Sequence, residues 1–193
     1  MYFLNLLRGV PVYLGSQFFT ISSFVITLLF MIFNPMFANL DFPPINCKYK
    51  KVNNNVYLFD RIRKKYVLLT PEEWVRQHLV HFIIDYKHYP SSLIRIESGI
   101  RYNRLLKRTD VLVYDRKGES LIIFECKSAD HSLVQADLMQ VSTYGASKKP
   151  AFLGLTNGLK HFIWRMDYTK NKTQKINGFP GYEELIRLKD LSG

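Results

Sequence analysis

At 193 residues the chain can hold one domain with a substantial hydrophobic core and a modest appendage. Its net charge of +11, from 27 Lys+Arg against 16 Asp+Glu, points to nucleic acid or an anionic membrane surface and away from acidic-protein classes. Cys47 and Cys126 are far apart and in no metal-like spacing, which argues against a disulfide framework and for a reducing, intracellular setting.

The first 36 residues stand apart from the rest. Gly9 to Leu40 carries no charge, and Phe18 to Phe33 is mostly Phe, Ile, Leu, Val and Met. As a helix, Val10 to Phe33 would be about 36 Å long, enough to cross a bilayer. Lys48, Lys50 and Lys51 beyond it would keep the folded domain in the cytoplasm. A secretory signal fits less well, because Phe33-Asn34-Pro35 lacks small residues for cleavage. The abrupt change at Met36 fits equally a true start at that methionine, with the domain cytoplasmic and the hydrophobic leader absent from the native protein. A membrane is a partner only if the leader is real.

Next, Asn46 to Lys51 and Val56 to Phe59 read as strands around the Asn53-Asn54-Asn55 turn, and Lys64 to Leu69 as a third. Thr70-Pro71-Glu72-Glu73 starts a helix: Thr70 caps, Pro71 takes the first position and Glu73 completes a capping box. Trp74, Val75, Leu79, Phe82, Ile83 and Tyr86 follow at helical spacing, and Tyr89-Pro90-Ser91 ends the helix. Three strands are predicted over Leu93 to Tyr102, Asp110 to Tyr114 and Leu121 to Lys127, the last two joined by Asp115-Arg116-Lys117-Gly118. A second helix is predicted from about Leu133 to Ala146, then a strand over Phe152 to Thr156, the turn Asn157-Gly158, and a partner strand over His161 to Asp167. Past Lys170 the composition suggests a polar, loosely packed tail, so the expected division is leader 1–36, domain 37–170 and tail 171–193.

Chemistry-bearing residues gather at one hairpin. Glu125 and Lys127 fall on one strand face and Cys126 on the other, and strand pairing would bring Asp110 beside the Glu/Lys pair. Two carboxylates and an ammonium at a sheet edge suit a divalent cation and an activated water. A solvated strand end with an ion pair worth under about 1 kcal/mol is the competing reading. Arg104, Lys107, Arg108, Lys148 and Lys149 are candidate phosphate contacts, set against ordinary solvated surface.

The order helix, three strands, helix, strand resembles the α-β-β-β-α-β core of the restriction-endonuclease-like PD-(D/E)xK nucleases. More specifically, the chain is similar to the nuclease domain at the N-terminus of type I restriction enzyme R subunits and its small stand-alone bacterial relatives. LTPEEWVRQH (Leu69 to His78), KRTD (Lys107 to Asp110), FECK (Phe124 to Lys127), QVSTY (Gln140 to Tyr144) and LTNG (Leu155 to Gly158) carry the resemblance, over about residues 39–170. It implies an α/β fold with an N-terminal β-hairpin extension and the hydrophobic N-terminal helix outside it. It implies Asp110 as the motif aspartate, Glu125 and Lys127 as the E-x-K pair, Gln140 and Tyr144 as the Q-x3-Y motif, and Glu73 as the acidic residue of the first core helix. Thr109 replaces the proline that names the superfamily, and Ser128-Ala129-Asp130 stands where relatives more often have an Ala-Pro pair.

The resemblance further implies magnesium-dependent hydrolysis of DNA. Asp110, Glu125 and the carbonyl of Cys126 would hold Mg2+, and Lys127 would orient the attacking water or accept its proton. No G-x4-G-K-[ST] occurs, so the chain has no ATP-driven motor. A non-catalytic nucleic-acid-binding or assembly module on the same fold is the alternative.

Overall fold

The computed structural model describes residues 11–14, 17–20, 37–102, 105–134, 137 and 148–191. Helix α1 (Pro71–Asp85) starts as its sequence dictates: Thr70 is extended, and its Oγ1 accepts a hydrogen bond from the Glu73 backbone N–H at 3.1 Å. Val75, Leu79, Val80 and Ile83 recur along it at helical spacing and are buried in the main core cluster.

Two sheets flank this helix in sequence. Before it, β3 (Tyr49–Val52), β4 (Asn55–Asp60) and β5 (Lys65–Leu68) form a three-stranded antiparallel sheet, the predicted hairpin joined by the predicted third strand. After it come β6 (Ile94–Tyr102), β7 (Leu105–Tyr114), β8 (Ser120–Cys126), β9 (Phe152–Thr156), β10 (His161–Asp167) and β11 (Lys172–Ile176). These make one six-stranded sheet in the order β11-β10-β9-β8-β7-β6, antiparallel except where β8 meets β9. A parallel pair needs a crossover, and residues 127–151 supply it. The second helix expected there, about Leu133 to Ala146, lies almost wholly outside the described residues.

Alternation along β7 and β8 divides the core. Val111, Val113, Ile122 and Phe124 join the cluster containing α1, while Leu112 and Ile123 join Leu153 and Leu155 in a second cluster. Gly154 exists for this packing: a Cβ there would lie 2.2 Å from Phe124 Cδ1.

Three expectations are corrected. The hydrophobic N-terminal helix expected over Val10 to Phe33 is not formed in its described part, where β1 (Pro11–Leu14) pairs with β2 (Gln17–Thr20) as an antiparallel hairpin. Val12, Tyr13, Phe18, Phe19 and Thr20 are strand formers, and Gly15-Ser16 between them suits a two-residue turn. Among the described residues no helix is long and apolar enough to cross a membrane.

The tail is not loose. β11 extends the sheet, and α2 (Tyr182–Asp190) buries Tyr182 and Leu185 in the main core. Lys189 Nζ lies 2.6 Å from Asp115 and 2.5 Å from Glu119, fastening that helix to the β7–β8 turn. Short apolar spacing over one helical turn had too little periodicity to announce this in a polar segment. Finally, β7 begins at Leu105, so Lys107-Arg108-Thr109 lie inside a strand, opposite Ile100, Gly99 and Ser98.

Candidate active site

Val111 pairs with Phe124, so the next pair along the two strands sets Asp110 opposite Glu125. Both carboxylates are buried, at 8% and 4% exposed. Asp110 is held at both oxygens: Oδ2 accepts from the Cys126 backbone N–H at 2.6 Å, and Oδ1 accepts from Arg76 Nη2 at 2.7 Å. Glu125 accepts from Lys127 Nζ at 3.1 Å. The hairpin therefore brings together the Asp110, Glu125 and Lys127 that the sequence put forward. Cys126 faces the core, fully buried, and burial raises its thiol pKa well above the ordinary value.

The electrostatics show a site short of positive charge. Burial and the nearby Asp110 push the Glu125 carboxyl up to about 7. Glu72 is raised for the same two reasons. Burial opposes the charge on Lys127, but Glu125 outweighs it and the ammonium pKa rises. With Glu125 beside it Lys127 is thus held as a cation, the form that suits orienting a water by hydrogen bonding. Asp137, also buried, lies 3.9 Å from Lys127 on its other side. Although burial disfavours its charge, the Val134 N–H and His131 hold its pKa below the usual carboxylate value.

Glu73 stands apart from this cluster. Its carboxylate is taken by Arg63, Arg76 and Gln77, in a buried chain running Asp60–Arg63–Glu73–Arg76–Asp110. Glu73 therefore supports Arg76. Glu72, one residue earlier, is the helix carboxylate whose charge is felt by Glu125 and Lys127. Sequence reading missed Glu72, Arg76 and Asp137. Glu72 and Arg76 are i,i+4 on α1 and share a face, a signal that the capping-box explanation of Glu73 obscured.

The basic candidates divide. Lys148 and Lys149 are exposed, but Ala151 N donates to Ser120 O at 3.2 Å, so they lie near the start of β8 and away from Glu125 at its end. A strand parallel to β8 must begin where β8 begins, which sends the residues before β9 to that far edge. Arg104, Gln140 and Tyr144 lie outside the described residues, as do the side chains of Lys107 and Arg108. In LTNG, Asn157 Oδ1 accepts from the Leu159 and Lys160 N–H groups, and its Nδ2 donates to His131 O at 2.9 Å. That motif ties the β9–β10 turn to the segment leaving β8, with Gly158 at φ +84°.

Among the described residues, no three His, Cys, Asp or Glu side chains group closely enough to hold a metal ion by themselves. Magnesium does not require such a cage, since it binds one or two carboxylates and keeps several waters. Asp60 and Glu73 balance Arg63 and Arg76 along the chain, which leaves Glu72, Asp110 and Glu125 against Lys127. That surplus of hard-oxygen charge fits a divalent cation.

The mixed α/β fold thus carries buried carboxylates and a lysine at one strand end. The family model described as type I restriction enzyme R protein N terminus matches residues 71–180, more than half of the chain, and the chain belongs to that family. No curated protein matches it. Among solved structures it is similar to a fragment described as an HsdR subunit of a type I restriction enzyme from Vibrio vulnificus YJ016. The identity is 21% and the TM-score 0.45, over 62% of this chain and 25% of that one. The chain thus spans about a quarter of that protein.

Proposed function

We propose that this domain is a magnesium-dependent deoxyribonuclease on a PD-(D/E)xK core. The observation that supports it most is geometric: the buried Glu125 carboxylate lies opposite Asp110 and 3.1 Å from Lys127 at one strand end. Asp110, Glu125 and the Cys126 carbonyl would hold Mg2+, with Glu72 within electrostatic reach. When bound, the ion would polarise the phosphate and stabilise the leaving oxygen. The Cys126 N–H and Arg76 fix the Asp110 carboxylate so that it need not reorient on binding. Lys127, a cation held by Glu125, donates hydrogen bonds to the attacking water or to a phosphate oxygen. DNA is the proposed substrate, and assembly with other restriction subunits is proposed from the family alone.

Purified protein should nick or degrade DNA with magnesium or manganese, and Asp110→Asn or Lys127→Ala should lower the rate by 100-fold or more, on the order of a lost transition-state contact. Absence of cleavage on single-stranded, duplex and branched DNA with either metal would overturn the proposal. A second reading, a non-catalytic nucleic-acid-binding module, has one observation in its favour: Asp110 already shares Arg76, at 2.7 Å, as a partner. Salt-sensitive DNA binding indifferent to Asp110→Asn, without cleavage, would select it.

A further inference from the structure

The three-stranded sheet carries a surface that the carboxylate site does not use. Register puts Lys50 beside Tyr57 and Tyr57 beside Leu68, with Phe59 beside Tyr66, so these side chains share one face. The opposite face supplies Leu58, at 0% exposed, to a buried cluster. On the outward face Tyr66 and Leu68 are 36% and 45% exposed, although both are large and apolar. Lys50 Nζ lies 4.5 Å from the Tyr66 ring centre and 5.7 Å from that of Tyr57. Aromatic rings interleaved with an ammonium thus cover one side of the sheet, while Leu58 on the other side packs into the buried cluster.

Charge singles the segment out as well. From Asn46 to Leu69 there are seven lysines and arginines and one acidic residue, Asp60. Asp60 is 1% exposed and turned inward to Arg63 at 2.6 Å. All five lysines are exposed; by strand alternation Lys48 and Lys50 fall on the outward face, Lys51 and Lys65 on the other, and Lys64 lies in the β4–β5 turn. The surface therefore presents cations and rings with no exposed carboxylate from its own strands.

This face runs into a cleft of about 480 Å³. Lys48, Phe59 and Arg61 line it from the sheet side, and His81, Phe82 and Tyr86 from α1. Phe82 and Tyr86 stack at 5.9 Å, and Tyr86 is 55% exposed. His81 is buried, and its Nε2 has no hydrogen-bond partner among the described residues. A buried ring nitrogen left unsatisfied is costly unless something completes it.

From this combination we propose that the outward face of β3-β4-β5 and its adjoining cleft bind single-stranded nucleic acid. Unpaired bases stack on Tyr57 and Tyr66, Lys48 and Lys50 follow the phosphates, and one base edge enters the cleft toward His81. A stacked duplex hides its base faces, whereas an unpaired strand offers one at every nucleotide, which is the ligand that rings between lysines select. The Arg63–Glu73 pair ties this sheet to α1, so a strand held here has a fixed position relative to the carboxylate site.

The test is fluorescence anisotropy of the full chain with a short labelled single-stranded oligonucleotide, in EDTA, so that the result does not depend on whether the carboxylates cleave. Lys50→Ala should weaken binding and lower the salt slope by about 0.7. Tyr57→Ala with Tyr66→Ala should weaken it about tenfold or more and leave the slope unchanged. The matching duplex should bind more weakly and ignore the tyrosine changes. Photocrosslinking of the unaltered protein to a bromouracil-containing strand, which needs no variant to fold, should label peptides from β3–β5 or the cleft side of α1. Affinities within twofold of the original for both variants would overturn the proposal. So would crosslinks confined to other elements, or a Lys50 effect seen only with phosphatidylserine vesicles.

Discussion

Arg76 is where removing one side chain should reveal how the site is held. It is 7% exposed, touches Glu73, and lies 2.7 Å from Asp110. Arg76→Met keeps most of the volume and removes the charge. Removing one partner of a buried pair costs roughly 3–5 kcal/mol, because the remaining charge is left uncompensated. Here Glu73 keeps Arg63 and Gln77, and Asp110 keeps the Cys126 N–H, so the low end, about 3 kcal/mol, is expected. For a domain of this size that corresponds to a fall in Tm of roughly 6–12 °C. Arg76→Lys, with a point charge in place of a two-pronged donor, should lose less. Urea denaturation at pH 8 and pH 5 measures the cost. The deficit should be smaller at pH 5, where a proton can replace part of the missing charge. A cost under about 1 kcal/mol at pH 8, or a larger deficit at pH 5, would refute the view that Arg76 carries the charge balance of the site.

Glu125 gives a pH prediction. Its folded pKa, about 7, lies above the ordinary 4.5, so its contribution to stability is fully present below pH 4.5 and is lost as pH rises through 7. Glu125→Gln should abolish that decline and stabilise the protein at pH 8 by up to about 3 kcal/mol; an unchanged pH profile in urea would contradict it. Gly154→Ala should destabilise by about 1–3 kcal/mol or more, since the new methyl meets the Phe124 ring, itself stacked on Phe179 at 5.6 Å. Thermal unfolding within a degree of the original would show that the ring moves freely.

Strand and helix signals were plain wherever alternation or helical spacing ran for several residues beside turn chemistry. Thr70-Pro71 fixed the start of α1 through its cap, and Asn157-Gly158 marked the β9–β10 turn. Asp110, Glu125 and Lys127 could be placed because strand period and hairpin pairing are local rules. Arg76 could not, because its partner is 34 residues away and nothing local indicates which arginine on a helix is buried. Glu73 shows the opposite failure. A local motif explained its backbone contact correctly while its carboxylate went to Arg63 and Arg76, a tertiary arrangement. Where Lys148 and Lys149 would lie was not legible, because closeness in sequence to the predicted second helix says nothing about which end of the sheet a parallel strand starts from.

The sheet ahead of α1 is more than decoration on the six-stranded core. Its β4–β5 turn supplies Asp60 and Arg63, and Arg63 reaches Glu73, whose other cation is the Arg76 that grips Asp110. Each charge along that line is buried except the partly buried Arg63, and each is met by its neighbour, so none can be removed without leaving the next short of a partner. A buried ionic chain adds little net stability over apolar packing, but it fixes geometry, because only one arrangement satisfies every member. The same sheet presents its other face, with Lys50, Tyr57 and Tyr66, to solvent. One side of this small sheet therefore sets the orientation of a candidate catalytic carboxylate, and the other side is free to hold the strand that such a carboxylate would act on.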